Sequence, residues 1–188
     1  MGVGQKIVNF LKINGITHEV KGDEIEIKDN KVFVDKKEVT KIKEMFLKIE
    51  WSGDIANLTV KNGNVTCGDV QGYVDAGNNI DCGDVQEHAD AGENIFCKNV
   101  GGSVDAGENV TCENIAGSVD AGSSLKAGNI SGAVDAGDEV QCGNVGGDID
   151  AGGSVTCGDV HGNIETQDDV TCKNVGGDIE ANTVKMGQ

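Results

Sequence analysis

The sequence predicts an all-β fold: a three-sided, single-stranded parallel β-helix of fifteen residues per coil and about nine coils, preceded by a small β-rich cap. Three observations predict it. From Val65 to Ala181 the chain repeats every fifteen residues without an insertion, and a fixed short period marks a solenoid. Three branched or small apolar columns run through the repeats, headed by Val65, Val70 and Val74 and closed by Val170, Val175 and Ile179. Between the columns fall glycine, aspartate and asparagine, as in Gly68-Asp69 and Gly77-Asn78-Asn79, residue types that tolerate the positive φ of tight corners.

Each element follows in chain order. Residues 1–49 read as a cap covering the open edge of the first coil, an edge that solenoids must protect. Within it, Gly2 to Ile13 fits a short amphipathic helix as well as a strand. Ile16 to Val20, Ile25 to Ile27 and Val32 to Val34 alternate as strands, and the Asp29-Asn30 turn makes Glu24 to Asp35 a hairpin. Lys36, Lys37 and Glu38 carry the chain out, and Met45 to Trp51 leads into the rod of residues 50–188. Gly53-Asp54-Ile55 matches Gly68-Asp69-Val70, so a first, imperfect coil begins near Glu50, with Leu58 and Val60 in the slots of Val74 and Ala76, offset by one residue. Eight regular coils follow, the last finishing near Val184 with nothing resembling a cap after it. Inside each coil, strand alternation points Val65 with Cys67, Val70 with Gly72 and Val74 with Ala76 inward. The inward residues are small because a coil this short encloses little room.

Composition narrows the function classes. Residues 1–50 carry ten lysines and nine acids, whereas residues 51–188 carry five lysines and 23 acids, a net of −18. Arginine is absent. Such a rod repels nucleic acid and anionic membrane, so the expected partner is cationic or another copy of the chain. No apolar run reaches the length of a membrane span and no secretory leader is visible, so a soluble cytoplasmic protein with reduced thiols is expected.

Several columns invite chemistry. Cysteines at 67, 82, 97, 112, 142, 157 and 172 are interrupted by Ala127. They lack CxxC spacing and histidine neighbours, and their inward slot suits small core residues, so buried inert thiols are the expectation rather than a metal or redox site. The corner column Asp69, Asp84, Asn99, Asn114, Asn129, Asn144, Asp159, Asn174 reads as a stacked hydrogen-bonding ladder. The outward acid column is Asp75, Asp90, Asp105, Asp120, Asp135, Asp150, Glu165 and Glu180. Like charges facing one another on neighbouring strands are unfavourable, so this column calls for counterions or a purpose. Divalent cations are weak candidates there, at Asp75 through Asp150. Mimicry of DNA is another, because −18 spread over about 40 Å approaches the one charge per ~1.7 Å of duplex DNA. Solvated, solubilising faces are the plain reading.

No catalytic residue and no cofactor is assigned: His18, His88 and His161 are scattered, and no nucleophile or phosphate loop joins them. One coil departs from the pattern, with Glu87, His88 and Ala89 in unusual slots, Phe96 pointing outward and Tyr73 nearby. Exposed aromatics among acids can anchor a partner.

Asn14-Gly15, Val20-Lys21-Gly22, Ile25-Glu26-Ile27, Lys31-Val32-Phe33-Val34-Asp35 and Lys37-Glu38-Val39 resemble the leader of a family of uncharacterised phage and prophage proteins. The bodies of that family repeat glycine-aspartate-valine-x-glycine-x-valine, as Gly68 to Val74 does. More distantly the rod resembles bactofilins and putative-adhesin β-solenoids, and that resemblance implies a non-catalytic protein. Bactofilins polymerise end to end through their β-helices, whereas the cap here is expected to block one end. The resulting expectation is a non-enzymatic, self-associating structural or interaction protein. Tail-to-tail contact would run through Ile179, Ala181 and Val184, and lateral contact through Thr66, Thr111, Thr156 and Thr171. The alternative is an inhibitor that binds a basic host protein through Asp105, Asp120 and Asp135.

Overall fold

The structure is a computed structural model that describes residues 9–13, 16–22, 24–29, 31–41, 49–52 and 55–187. Among the described residues every regular element is a strand. From Ile55 onward, coils about fifteen residues apart stack in parallel, and the middle column alone counts nine residues from Ile55 to Val175. The chain is a β-solenoid of about nine turns.

Three faces result because each coil carries three short apolar stretches separated by corners. The Val65 face is a nine-stranded parallel sheet from Val65–Thr66 to Thr183–Met186. The Val74 face belongs to a twelve-stranded sheet. The Val70 face is narrower, held by single parallel bridges and by one strand pair, Asn99–Val100 with Asn114–Ile115. Backbone amides in each coil donate alternately to the coils before and after: Val74 N–H to His88 O at 3.0 Å, Gln71 N–H to Ile55 O at 2.8 Å. A parallel ladder satisfies the main chain in this way.

The core is the inward stack. Val70, Val110, Val140, Val155 and Val170 have no exposed surface, and Ala91, Ala106, Ala121, Ala136 and Ala151 are buried opposite them in the smallest slot. Thr166 takes the alanine slot in one coil and stays buried because its hydroxyl donates to Gly153 O at 2.6 Å and accepts from Asp168 N–H at 3.1 Å.

The corners correct one expectation. Only Gly22 and Gly63 among the described glycines have left-handed φ, at 136° and 131°. In the regular coils glycine is demanded by stacking instead. A Cβ on Gly92 would collide with the carbonyl oxygen of Gly77, and one on Gly107 with that of Gly92.

Each corner also carries a side-chain ladder, and there are three. In the expected one, Asn99 Nδ2 donates to Asp84 Oδ1 at 2.8 Å and Asn114 Nδ2 to Asn99 Oδ1 at 3.0 Å. The Asn99 side-chain amide and backbone N–H, both donating to Asp84 Oδ1, hold that exposed carboxyl below its ordinary range. A second ladder runs Asn64, Asn79, Asn94, Asn109, each amide donating to the preceding Oδ1 at 2.9–3.0 Å. In the third, backbone amides one coil later donate to Ser103, Ser118, Asp148 and Asn163. Polar residues that would otherwise compete with the sheet thus bind it together.

The N-terminal segment joins the rod through its backbone. Strand β1 (Asn9–Ile13) pairs antiparallel with β2 (Ile16–Val20), so the helix-or-strand ambiguity resolves to a strand over its described part. The segment's residues 1–8 lie outside the described residues, as do Asn14-Gly15 and Asn30. Strands β3 (Glu24–Lys28) and β4 (Lys31–Val34) form the expected hairpin, with Asp29 at φ 49°. A further strand, β5 (Lys37–Lys41), extends it where the chain was expected simply to leave. It is reached through Asp35 and Lys36, both at positive φ (49° and 63°), the geometry that a two-residue hairpin turn of matching twist requires. Strand β6 (Ile49–Ser52) pairs with β1. Strand β7 (Asn57–Val60) then begins the Val74 face, with Leu58 opposite Val74 and Val60 opposite Ala76, the one-residue offset expected. Because β3 pairs in parallel with β7, the hairpin continues that face as the head of its sheet.

Candidate functional site

The acid column stands in register. Asp75 faces Asp90, which faces Asp105, and so on through Asp120, Asp135, Asp150, Glu165 and Glu180. All are exposed except the half-buried Asp75. Spacing follows the strand separation of about 4.8 Å. Among the described residues no three His, Cys, Asp or Glu side chains converge to hold a metal ion. The column therefore presents a line of single carboxylates rather than a cage of the six to eight oxygens calcium takes.

Its N-terminal end is different in kind. The one-residue offset places buried Thr59 in the acid slot, and Glu26 follows from β3. Glu24, Glu26, Lys28, Phe33, Lys36, Thr59, Lys61, Tyr73 and Asp75 surround an open hollow of about 480 Å³. Lys61 Nζ lies 2.9 Å from Asp75, and that bond raises the lysine pKa. Lys28 Nζ lies 2.9 Å from Glu26 and 5.2 Å from the centre of the Phe33 ring. Lysines of the hairpin and of the imperfect coil thus neutralise the head of the column. Sequence reasoning missed this hollow, although the offset of Leu58 and Val60 already placed Thr59 where an acid was due.

The proposed aromatic anchors separate. Phe96 stands 59% exposed on the Val65 face. Tyr73 precedes the Val74 face and stacks on His88, ring centres 5.1 Å apart and planes 4° from parallel. The two therefore do not make one patch. On the Val65 face, Thr66, Thr111, Thr156 and Thr171 share a column, interrupted by Asp81, Phe96, Lys126 and Gln141.

At the far end, Ile179–Glu180 and Thr183–Met186 are the last strands of their sheets. Ile179 and Ala181 are half-buried, while Val184 is 42% and Met186 51% exposed. These are the large apolar side chains besides Phe96 that the described surface exposes.

The cysteines line the inner wall between the Val65 and Val70 columns. Cys82, Cys97, Cys112 and Cys172 are buried, whereas Cys67, Cys142 and Cys157 are half-buried. Cys67 Sγ lies 3.0 Å from Cys82 Sγ. Hydrogen bonds from the Cys112 and Cys82 thiols hold Cys97 well below the usual thiol range. Burial pushes Cys142 up to about 11 and Cys157 up to about 12.

Fold and surfaces together define a β-solenoid with an acidic, in-register face. No family model, curated protein or solved structure significantly matches the chain. No helix among the described residues is long and apolar enough to cross a membrane.

Proposed function

We propose that this is a non-enzymatic structural or interaction protein, an acidic β-solenoid that pairs tail to tail with a second copy. The observation that carries the reading is the pair of end strands. Ile179–Glu180 and Thr183–Met186 have one neighbour each among the described residues, and the latter exposes Val184 and Met186. An unpaired strand edge with apolar side chains is a template for another chain. At the opposite end the hairpin prolongs the Val74 face, which disfavours head-to-tail stacking and leaves a closed two-fold dimer as the favoured assembly. The resemblance to phage and prophage proteins suggests the setting, a host cytoplasm or a virion. Light scattering coupled to size-exclusion chromatography tests the reading. A salt-independent dimer should become a monomer when Val184→Lys and Met186→Lys are combined. A wild-type monomer at high concentration would refute it.

A second reading rests on the register of the acid column. Seven carboxylates from Asp90 to Glu180 stand in line, with no ion pair on them among the described residues. That line suits a basic protein partner, as a competitor of DNA would. Reversing Asp105, Asp120 and Asp135 to lysine should abolish capture of such a partner while the rod stays folded.

A further inference from the structure

We propose that the inward sulfur column binds soft monovalent cations, copper(I) foremost, each held between the sulfurs of two successive coils. The free cysteines fall into two runs, Cys67 to Cys112 and Cys142 to Cys172, split by Ala127. The second run has a fourth sulfur that the repeat does not announce. Met186 stands in register with Cys172, and the thiol lies 3.3 Å from its Sδ. Stacked thiols ending on a thioether are the donor set that selects copper(I) over harder ions.

Distance and donor number point the same way. The Sγ atoms of Cys67 and Cys82 are 3.0 Å apart, while the coils that carry them are separated by about 4.8 Å. Rotation about χ1 therefore opens the sulfur gap from contact toward the full coil spacing. Two metal–thiolate bonds of about 2.3 Å, the zinc value, laid end to end span about 4.6 Å and fit inside that range. Each gap offers two donors, and no group of three or more converges among the described residues. Two donors in line suit a two-coordinate soft cation and fail the tetrahedral demand of zinc.

Charge decides the oxidation state. Each thiol exchanges S–H for S–M and gives its proton to solvent, and inner thiolates bridge two ions. The four thiols of the first run with a monovalent ion in each gap leave one net negative charge. Divalent ions in the same gaps would bury two net positive charges, which a core without counterions does not accept. Half-buried Cys67, Cys142 and Cys157 provide entry, and the acidic rod draws cations toward them. The thiols are in this account working ligands rather than inert filler.

The test is an anaerobic titration of the reduced protein with copper(I) buffered by bicinchoninate, reading copper per chain and circular dichroism together. About three ions per run are expected, one for each sulfur gap. Ala127 already shows that alanine fits the slot, so Cys97→Ala should fold and lose about two ions. Ala127→Cys should join the runs and gain about two. Unchanged uptake in Cys97→Ala, or loss of the β signal as copper binds, would overturn the proposal.

Discussion

At one end of the twelve-stranded sheet, β3 continues the rod in parallel and the chain folds back twice as β4 and β5. At the other, Ile179–Glu180 follows Ile164–Thr166 and pairs with nothing further among the described residues. The closed end finishes on Lys37, Glu38 and Lys41 at exposed positions, charges of the kind that keep a sheet edge from recruiting strangers. The open end finishes on Val184 and Met186. Among the described residues the hairpin gives the Val74 face a charged, antiparallel finish at one end, while at the other the last strands of both sheets have a single neighbour each. The difference teaches that the repeat itself is indifferent to its ends and that the segments flanking it decide what each edge presents.

The largest effect should come from opening the closed end. Val32 is fully buried in the hairpin, so Val32→Asp places a carboxylate with no partner in the core and should cost about 4 kcal/mol or more of hairpin docking. Urea unfolding should then split into an early hairpin transition and a later rod transition. With β7 uncovered, the variant should grow into open filaments at high concentration instead of stopping at a dimer. A single cooperative transition with unchanged midpoint would mean that the hairpin is not what closes that end.

Between the ends, the corner ladders should contribute evenly, coil by coil. Asn94 is the clearest member: its Nδ2 donates to Asn79 Oδ1 at 2.9 Å and Glu108 Oε2 at 3.0 Å, and its Oδ1 accepts from Asn109 Nδ2 at 2.9 Å. Asn94→Ala should cost about 1–2 kcal/mol, as the loss of exposed, partly water-replaceable hydrogen bonds does. The loss should appear in the denaturant midpoint without any change in assembly.

Much of this was legible because a period exposes slots that single residues conceal. Val65, Val70, Val74 and the Asn99 ladder could be read off the repeat, and so could the offset at Leu58. The rest escaped for physical reasons. Strand β5 hides behind Asp35-Lys36, a turn pair without the usual glycine. A corner glycine reads from sequence as a matter of backbone conformation, whereas neighbouring coils at Gly77 and Gly92 impose a steric limit that only stacking reveals. The ladder through Asn64 and Asn79 does not stand out from the Gly77-Asn78-Asn79 corner, because hydrogen bonding between coils depends on side-chain direction, which composition does not give. Met186 joined the cysteine column through a fourteen-residue final step that breaks the period.

The smallest effect tests whether the two ends of the acid column differ electrostatically. Lys61 bonds Asp75, and its pKa is raised above the ordinary lysine value. The stability this pair contributes is therefore fully present below the unfolded lysine pKa of about 10.4 and disappears as pH rises through the folded value. Both side chains are substantially exposed, so the contribution should be a few tenths of a kcal/mol, weaker still at high salt. Comparing urea midpoints of the wild type and Lys61→Met at about pH 8 and about pH 11.5 should show a small gap that closes at the higher pH. Asp150 has no such cation among the described residues and faces Asp135 and Glu165. Asp150→Asn should leave stability unchanged or raise it slightly by relieving like charge. Equal losses from Lys61→Met and Asp150→Asn would show that the column is uniform and that the hairpin's lysines do not set its head apart.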